Sequence, residues 1–239
     1  MKKKLLSLLC VVLLVVGAVV GTYAYLIDTD SALNTFTVGQ VGLDLKETKT
    51  DEYGVATNNT TDEGNQYKLI PGHTYVKDPK VTVDAESEDS FVRMVVTVQN
   101  VASLKLAVPA DKYPAYYAEN GVFLLEKLCV DETGTCTWDK DCWKFASYTE
   151  KDGNGVYEFR YKEVVNTLGA AAKPLDALFT DITVPSFLDK AGLEYLGQVK
   201  INVEAHAIQA DGFDKNLDKN GYDAEATAAW TAFDAQPKN

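Results

Sequence analysis

The chain has 239 residues, of which 46% are hydrophobic and 24% charged, which excludes a disordered or low-complexity polymer and allows a single β-sandwich of ordinary size. Lys and Arg number 23 against 35 Asp and Glu, and the resulting net charge of −12 argues against a nucleic-acid partner. Only two histidines and four cysteines are present, so few ligands exist for a transition-metal site.

The N-terminus has the pattern of an export signal. Three lysines at positions 2–4 precede an apolar run, and small residues follow it as far as Ala24. Thr22 and Ala24 occupy the −3 and −1 positions of a cleavage site before Tyr25, so residues 1–24 are predicted to be a signal peptide. The alternative is an uncleaved hydrophobic helix that anchors the chain in a membrane. Both interpretations predict a secreted or cell-surface protein, and cleavage would leave 20 basic against 35 acidic residues, a net charge of −15.

Four segments alternate apolar and polar residues, at 41–45, 92–98, 157–161 and 199–207. A period of two with one apolar face is typical of half-buried antiparallel strands. Asp152-Gly153 and Asn154-Gly155 precede the third segment and predict a hairpin there. The sequence therefore predicts an all-β fold, a single antiparallel β-sandwich over residues 39–239.

Helical signals are short and few. Ser186 through Leu196 is predicted to form a helix capped at Ser186, and the alanine-rich stretch Ala224 to Phe233 a short terminal helix. Residues 101–120 are predicted to be an irregular segment within a loop insertion over about 101–155. Residues 211–239 are predicted to form an acidic tail. These features are short helical insertions in the sandwich.

Three cysteines remain after the predicted cleavage, Cys129, Cys136 and Cys142, since Cys10 lies in the signal segment. An odd number permits at most one intramolecular disulfide, and the spacing does not say which two residues form it. The spacing includes no C-x2-C pair and no neighbouring histidine, which argues against zinc.

A calcium loop is a weak candidate in the tail. Asn216, Asp218 and Asn220 fall at loop positions 1, 3 and 5, but position 12 is Thr227 where a calcium loop has a bidentate glutamate. A solvated acidic turn is the simpler interpretation. We expect no cofactor, with calcium as the one weak exception.

Several blocks of the chain resemble the TasA/camelysin family of exported proteins of Gram-positive bacteria, which use a SipW-type signal peptidase. The blocks span most of the chain in the expected order: Gly21–Asp30, Asn34–Gly39, Leu43–Leu45, Leu69–Gly72, Lys77–Pro79, Pro174-Leu175, Leu178–Thr180, Val184-Pro185, Val203–Ala205, Ala207–Phe213 and Ala229-Trp230. The cysteine cluster departs from the cysteine-poor pattern of TasA.

The resemblance implies a jelly-roll sandwich, preceded by a hydrophobic signal helix, in a structural protein of the biofilm matrix. Its partners would be the signal peptidase during export, further copies of itself in a fibre, and other matrix components. In TasA-like fibres an N-terminal segment adds as a strand to the next subunit, and the corresponding donor segment here is residues 25–38. The apolar side chains that it would offer are Tyr25, Leu26, Ile27, Leu33, Phe36 and Val38.

Two alternatives remain open beside the fibre subunit. One is a cell-surface adhesin or binding module, with calcium dependence as an option. The other is a camelysin-like metallopeptidase, for which His73, Glu204 and His206 would be the ligand set. No H-E-x-x-H motif is present and the two histidines are expected on the surface, so we expect no catalytic residues.

Overall fold

The computed structural model describes residues 41–130, 142–213 and 222–236, which all belong to the compact unit Val41–Asn239. The predicted signal peptide and donor segment lie outside the described residues. So do Cys136 and the calcium candidates Asn216, Asp218 and Asn220. None of the helices in the described ranges is long and apolar enough to cross a membrane.

The described residues form eleven strands, three α-helices and two 3-10 turns. The strands are β1 (Leu43–Thr50), β2 (Ala56–Thr61), β3 (Thr74–Val76), β4 (Lys80–Val83), β5 (Ser90–Gln99), β6 (Cys129–Val130), β7 (Trp143–Lys151), β8 (Asn154–Tyr161), β9 (Lys173–Pro174), β10 (Asp181–Thr183) and β11 (Lys200–Gln209). The helices are α1 (Val101–Ala107), α2 (Lys190–Leu196) and α3 (Tyr222–Asp234), and the 3-10 turns are Pro114–Tyr116 and Leu125–Lys127.

The strands make three hydrogen-bonded sheets, in which every pairing is antiparallel. Their orders are β2-β1-β4-β9, β3-β10-β6 and β11-β5-β8-β7. The predicted all-β class is therefore confirmed. The four alternating segments are confirmed as strands β1, β5, β8 and β11. Their residues alternate because a period of two places one apolar face of each strand toward the core.

One main core joins the three sheets. It includes Tyr75 from β3, Val81 from β4, Met94 from β5 and Cys129 from β6. A second cluster lies where Trp230 of α3 packs with apolar residues of β5 and the end of β11. Residues of β5 are thus buried on both faces of its sheet.

The hairpin between β7 and β8 forms where the sequence predicts it. Asp152 and Gly153 have φ values of 52° and 77°, and Lys151 pairs with Asn154 across them. Two consecutive residues in the left-handed region match a type I′ turn, whose twist suits a two-residue hairpin. The turn makes β7 part of the main sheet, so the predicted loop insertion over 101–155 contains a sheet strand.

Two local predictions are wrong at their boundaries. Helix α2 begins at Lys190 and not near Ser186, because Asp189 caps it by accepting the N–H of Gly192 at 2.8 Å. Residues 101–120 are not wholly irregular, since Asn100 adopts φ 58° and turns β5 directly into α1, whose apolar face is buried. The predicted terminal helix is confirmed as α3.

Candidate functional site

The two edge strands of the β11-β5-β8-β7 sheet, β11 and β7, differ in regularity. Strand β11 pairs with β5 over ten residues without a shift in register. Within the described residues no second strand pairs with β11. Strand β7 pairs with β8 through a register shift between Phe145 and Ser147. A bulge is one of the devices by which proteins protect an edge strand, so β11 is the more open edge.

The hydrogen-bond pattern identifies the residues of β11 that present backbone groups outward. Ala210 donates its N–H to Asp89 O at 2.7 Å, whereas Ser90 exchanges two bonds of 2.9 Å with Val165 on the opposite side of β5. Bonded and non-bonded pairs alternate along an antiparallel ladder. The odd-numbered residues of β11 therefore direct their N–H and C=O groups away from β5, and the apolar ones among them are Ile201, Val203, Ala205 and Ala207.

The same residues of β11 turn their side chains to the main core but are only half-buried. On the same face of the neighbouring strand, Met94, Val96 and Val98 are completely buried. Burial of apolar side chains stabilises the fold in proportion to the area removed from water. The apolar face of β11 is therefore incompletely covered by the described residues.

A groove of about 230 Å³ runs beside this edge, between β11 and β1. Ile201 and Val203 line one side and Leu45 the other, with the charged residues Lys46 and Glu204 at its margin. Residues 43–46 of β1 pair with β4, and β2 pairs only with residues 47–50. The side of residues 43–46 that faces away from β4 has no strand partner in the described ranges. The groove thus lies beside two strand edges, residues 201–204 of β11 and residues 45 and 46 of β1.

A lysine and a glutamate that line the groove form an ion pair with little exposure to solvent. Lys77 Nζ lies 2.7 Å from Glu47 Oε2, and their side chains are 9% and 7% exposed. Burial, with the charge of Glu47 added, raises the pKa of Tyr67 well above its ordinary value. The Tyr67 hydroxyl donates to Val76 O at 2.7 Å. These polar groups therefore lie in an environment with little access to water.

A second cavity, of about 340 Å³, lies at the β7 end of the sheet. Its aromatic lining is contributed by Phe123, Trp143, Phe145, Tyr148, Tyr157 and Phe159. Tyr157 donates its hydroxyl to Phe123 O at 2.9 Å, and burial raises the pKa of Tyr148 to about 12. The cavity is suited to an apolar or ring-shaped ligand.

The structure does not bring the metallopeptidase candidates together as a ligand set. His73 Nε2 lies 2.8 Å from Tyr53 O. His206 Nδ1 accepts from Arg93 Nε at 3.2 Å, and its Nε2 lies 3.7 Å from Glu204. In the part of the chain that the structure describes, no group of three or more His, Cys, Asp or Glu side chains could hold a metal. Both histidines are partly exposed, and the side chain of His206 is 27% accessible to solvent.

Two of the three disulfide candidates are described. Cys129 is buried in β6, and the half-buried Cys142 contacts Asp176 through a 3.3 Å hydrogen bond from its Sγ. The pairing of the cysteines stays a prediction.

Sequence reasoning missed a buried arginine that ties α3 to the sheet. Arg93 is 4% exposed, and its Nη2 lies 2.5 Å from Asp234 Oδ1 of α3. Its guanidinium also lies over the rings of Trp230 and Phe233, at 4.5 and 5.0 Å from their centroids. The predicted acidic tail therefore contains a helix fixed by an ion pair and cation–π contacts. The sequence did contain a signal for this buried ion pair, because Arg93 is a basic residue within the otherwise apolar segment 91–98.

Comparison of the chain with protein-family models, curated proteins and solved structures finds no match.

Proposed function

We propose that this protein is a secreted structural subunit of a bacterial extracellular matrix, which assembles by donating its N-terminal strand to the next subunit. The open edge of β11 supports this proposal most directly. It offers outward backbone groups at four alternate residues beside a groove with apolar walls. An added strand would satisfy those groups and cover the half-buried side chains.

The donor in this proposal is the segment 25–38. It contains more residues than the ten of β11, and Phe36 and Val38 alternate as groove-facing residues would. Cleavage after Ala24 would release Tyr25 and make the segment available. The donor and acceptor surfaces differ, so each contact is head-to-tail and a filament can grow without closing. The sandwich would then have a jelly-roll arrangement completed by its neighbour, with no catalytic role.

Electron microscopy of purified residues 25–239, beside residues 39–239, tests the proposal. Filaments from the longer chain and monomers from the shorter one are expected. Monomers from both would contradict strand donation. If the longer chain is a stable monomer and the amides of its β11 are protected from hydrogen exchange, the segment pairs within its own sheet.

Assembly should depend on ionic strength. The donor segment carries Asp28 and Asp30, and the groove includes Asp62, Glu63 and Glu204 beside the Lys77–Glu47 ion pair. Salt or divalent cations screen repulsion between like charges. Growth of filaments measured by light scattering should therefore accelerate with added salt or calcium. A rate that is the same at low and high salt would contradict this part of the proposal.

The aromatic cavity at β7 favours a second candidate function, a cell-surface binding module. Aromatic rings such as Phe145, which is 52% exposed, can stack on the faces of sugar rings. A glycan array probed with the monomeric protein distinguishes the candidates. Binding that is lost in Phe145→Ala would favour the module, and absence of binding would favour the fibre subunit.

A further inference from the structure

We propose that Lys77 and Asn65 join in an intramolecular isopeptide bond, with Glu47 as the proton-transferring group. The proposal concerns the covalent chemistry of the fold and does not depend on filament assembly. It follows from one carboxylate that contacts both an amine and an amide in a buried place.

Glu47 bridges the two reacting side chains. Its Oε2 accepts from Lys77 Nζ at 2.7 Å, and its Oε1 accepts from Asn65 Nδ2 at 3.0 Å. The three residues are far apart in sequence, and the pairing of β1 with β2 and the approach of the β3–β4 connection bring them together. The amine and the amide are thus held on one carboxylate.

The carboxamide of Asn65 is fixed by the backbone of β1. Its Oδ1 accepts from Thr50 N at 2.9 Å, and its Nδ2 also donates to Thr48 O at 2.8 Å. An N–H aimed at a carbonyl oxygen stabilises negative charge that develops there during nucleophilic attack. Thr50 N–H is placed to do this for the Asn65 oxygen.

Burial distinguishes Lys77 from the other paired lysines. Among ion pairs of the described residues, Lys77–Glu47 is the only lysine pair with both side chains less than a tenth exposed. A neutral amine is the nucleophilic form of lysine, and Glu47 is placed to accept the proton that Lys77 must lose.

The proposed step balances in atoms and charge. Lys77 passes a proton to Glu47, and the neutral Nζ then attacks Asn65 Cγ. The Cγ–Nδ2 bond breaks while Glu47 returns a proton to Nδ2, and the nitrogen leaves as ammonium after taking the second proton of Nζ. Bond formation requires Nζ to move from Glu47 Oε2 to Cγ of Asn65, whose Nδ2 is held on the other oxygen of the same carboxylate. No oxidant, metal or cofactor is required.

Mass spectrometry of the full chain tests the proposal. The linked protein should weigh about 17 Da less than its sequence, the mass of one ammonia. Trypsin should leave the peptide 50–68 joined to the peptide 69–80, because cleavage after Lys77 is blocked once its amine is acylated. Separate, unmodified peptides would overturn the proposal. So would the same mass loss confined to peptide 50–68, which would indicate a succinimide at Asn65.

Two variants assign the role of Glu47. Glu47→Gln preserves shape but cannot accept the proton, and its peptides should be separate. Glu63→Gln is the matched control, since Glu63 lines the same groove without bonding to Lys77 or Asn65, and it should remain linked. A linked Glu47→Gln protein would contradict the assignment. The measurement on the unmodified chain decides the proposal even if Glu47→Gln fails to fold.

Discussion

The two edges of the β11-β5-β8-β7 sheet show how one fold can protect one edge strand with a bulge and leave the other regular. Strand β7 is joined to β8 by a tight turn, carries a register shift and has Lys144 and Lys151 along its length. Strand β11 is longer and regular, and within the described residues its outer side meets a groove. Bulges and exposed lysines discourage the addition of strands, so β11 is the edge that the proposed strand addition would use.

The largest expected effect comes from removing one outward N–H of β11. Ala205→Pro removes a donor that does not bond to β5, so the monomer should fold while filament formation is abolished. Glu150→Pro makes the same change at an outward position of β7 and should leave assembly intact. Circular dichroism checks folding, and electron microscopy checks filaments. Equal effects of the two variants would remove the distinction between the edges.

The second prediction concerns helix α3, which packs on β5, and tests whether filament formation through β11 depends on that packing. Trp230→Ala removes the largest side chain of the second core cluster and should lower the free energy of unfolding by about 3–5 kcal/mol. Thr231→Ala, on the exposed side of α3, should change it by less than about 0.5 kcal/mol. Urea titration measures both.

Filaments of the Trp230→Ala protein should still form under conditions where it is folded, because α3 covers a face and not the edge. Unchanged stability in Trp230→Ala would contradict the packing of α3 on β5. Loss of filaments in a folded Trp230→Ala protein would mean that the edge and the helix act together.

The smallest expected effect is the contribution of Tyr148, on β7, to the pH dependence of stability. Burial first, then the hydrogen bond to Glu150, raises the pKa of Tyr148 on β7 to about 12. The folded state therefore favours the neutral phenol: its contribution to stability is complete below the ordinary tyrosine pKa and is lost as pH rises through about 12. Alkaline absorbance titration should lose one late-titrating tyrosine in Tyr148→Phe. A Tyr148 that ionises at the ordinary value would contradict its burial in the β7 cavity.

The strands could be predicted because their signal is local. Alternation in β5 and β11, and Asp152-Gly153 between β7 and β8, specify conformation within a few residues. The start of α2 could not be chosen in the same way, since Ser186 and Asp189 are both good capping residues. The structure selects Asp189, and Leu188 N bonds to Pro185 O in a turn before the helix.

The open edge and the cluster of Glu47, Asn65 and Lys77 could not be predicted, because both depend on strand order. Strand β1 divides its pairing between β4 and β2, and no local pattern in Leu43–Thr50 indicates that change. Glu47 meets Asn65 and Lys77 across 18 and 30 residues of sequence. The resemblance suggested a donor segment, but the sequence did not identify the edge that could receive it.

Hydrogen exchange of the filament against the monomer of residues 39–239 tests the central proposal most directly. Amides of β11, together with residues 43–46 of β1, should become more protected on assembly, because an added strand would bond to their outward groups. Amides of β7 should exchange at the same rate in both states. Protection gained at β7, or no gain at β11, would contradict assembly through the open edge.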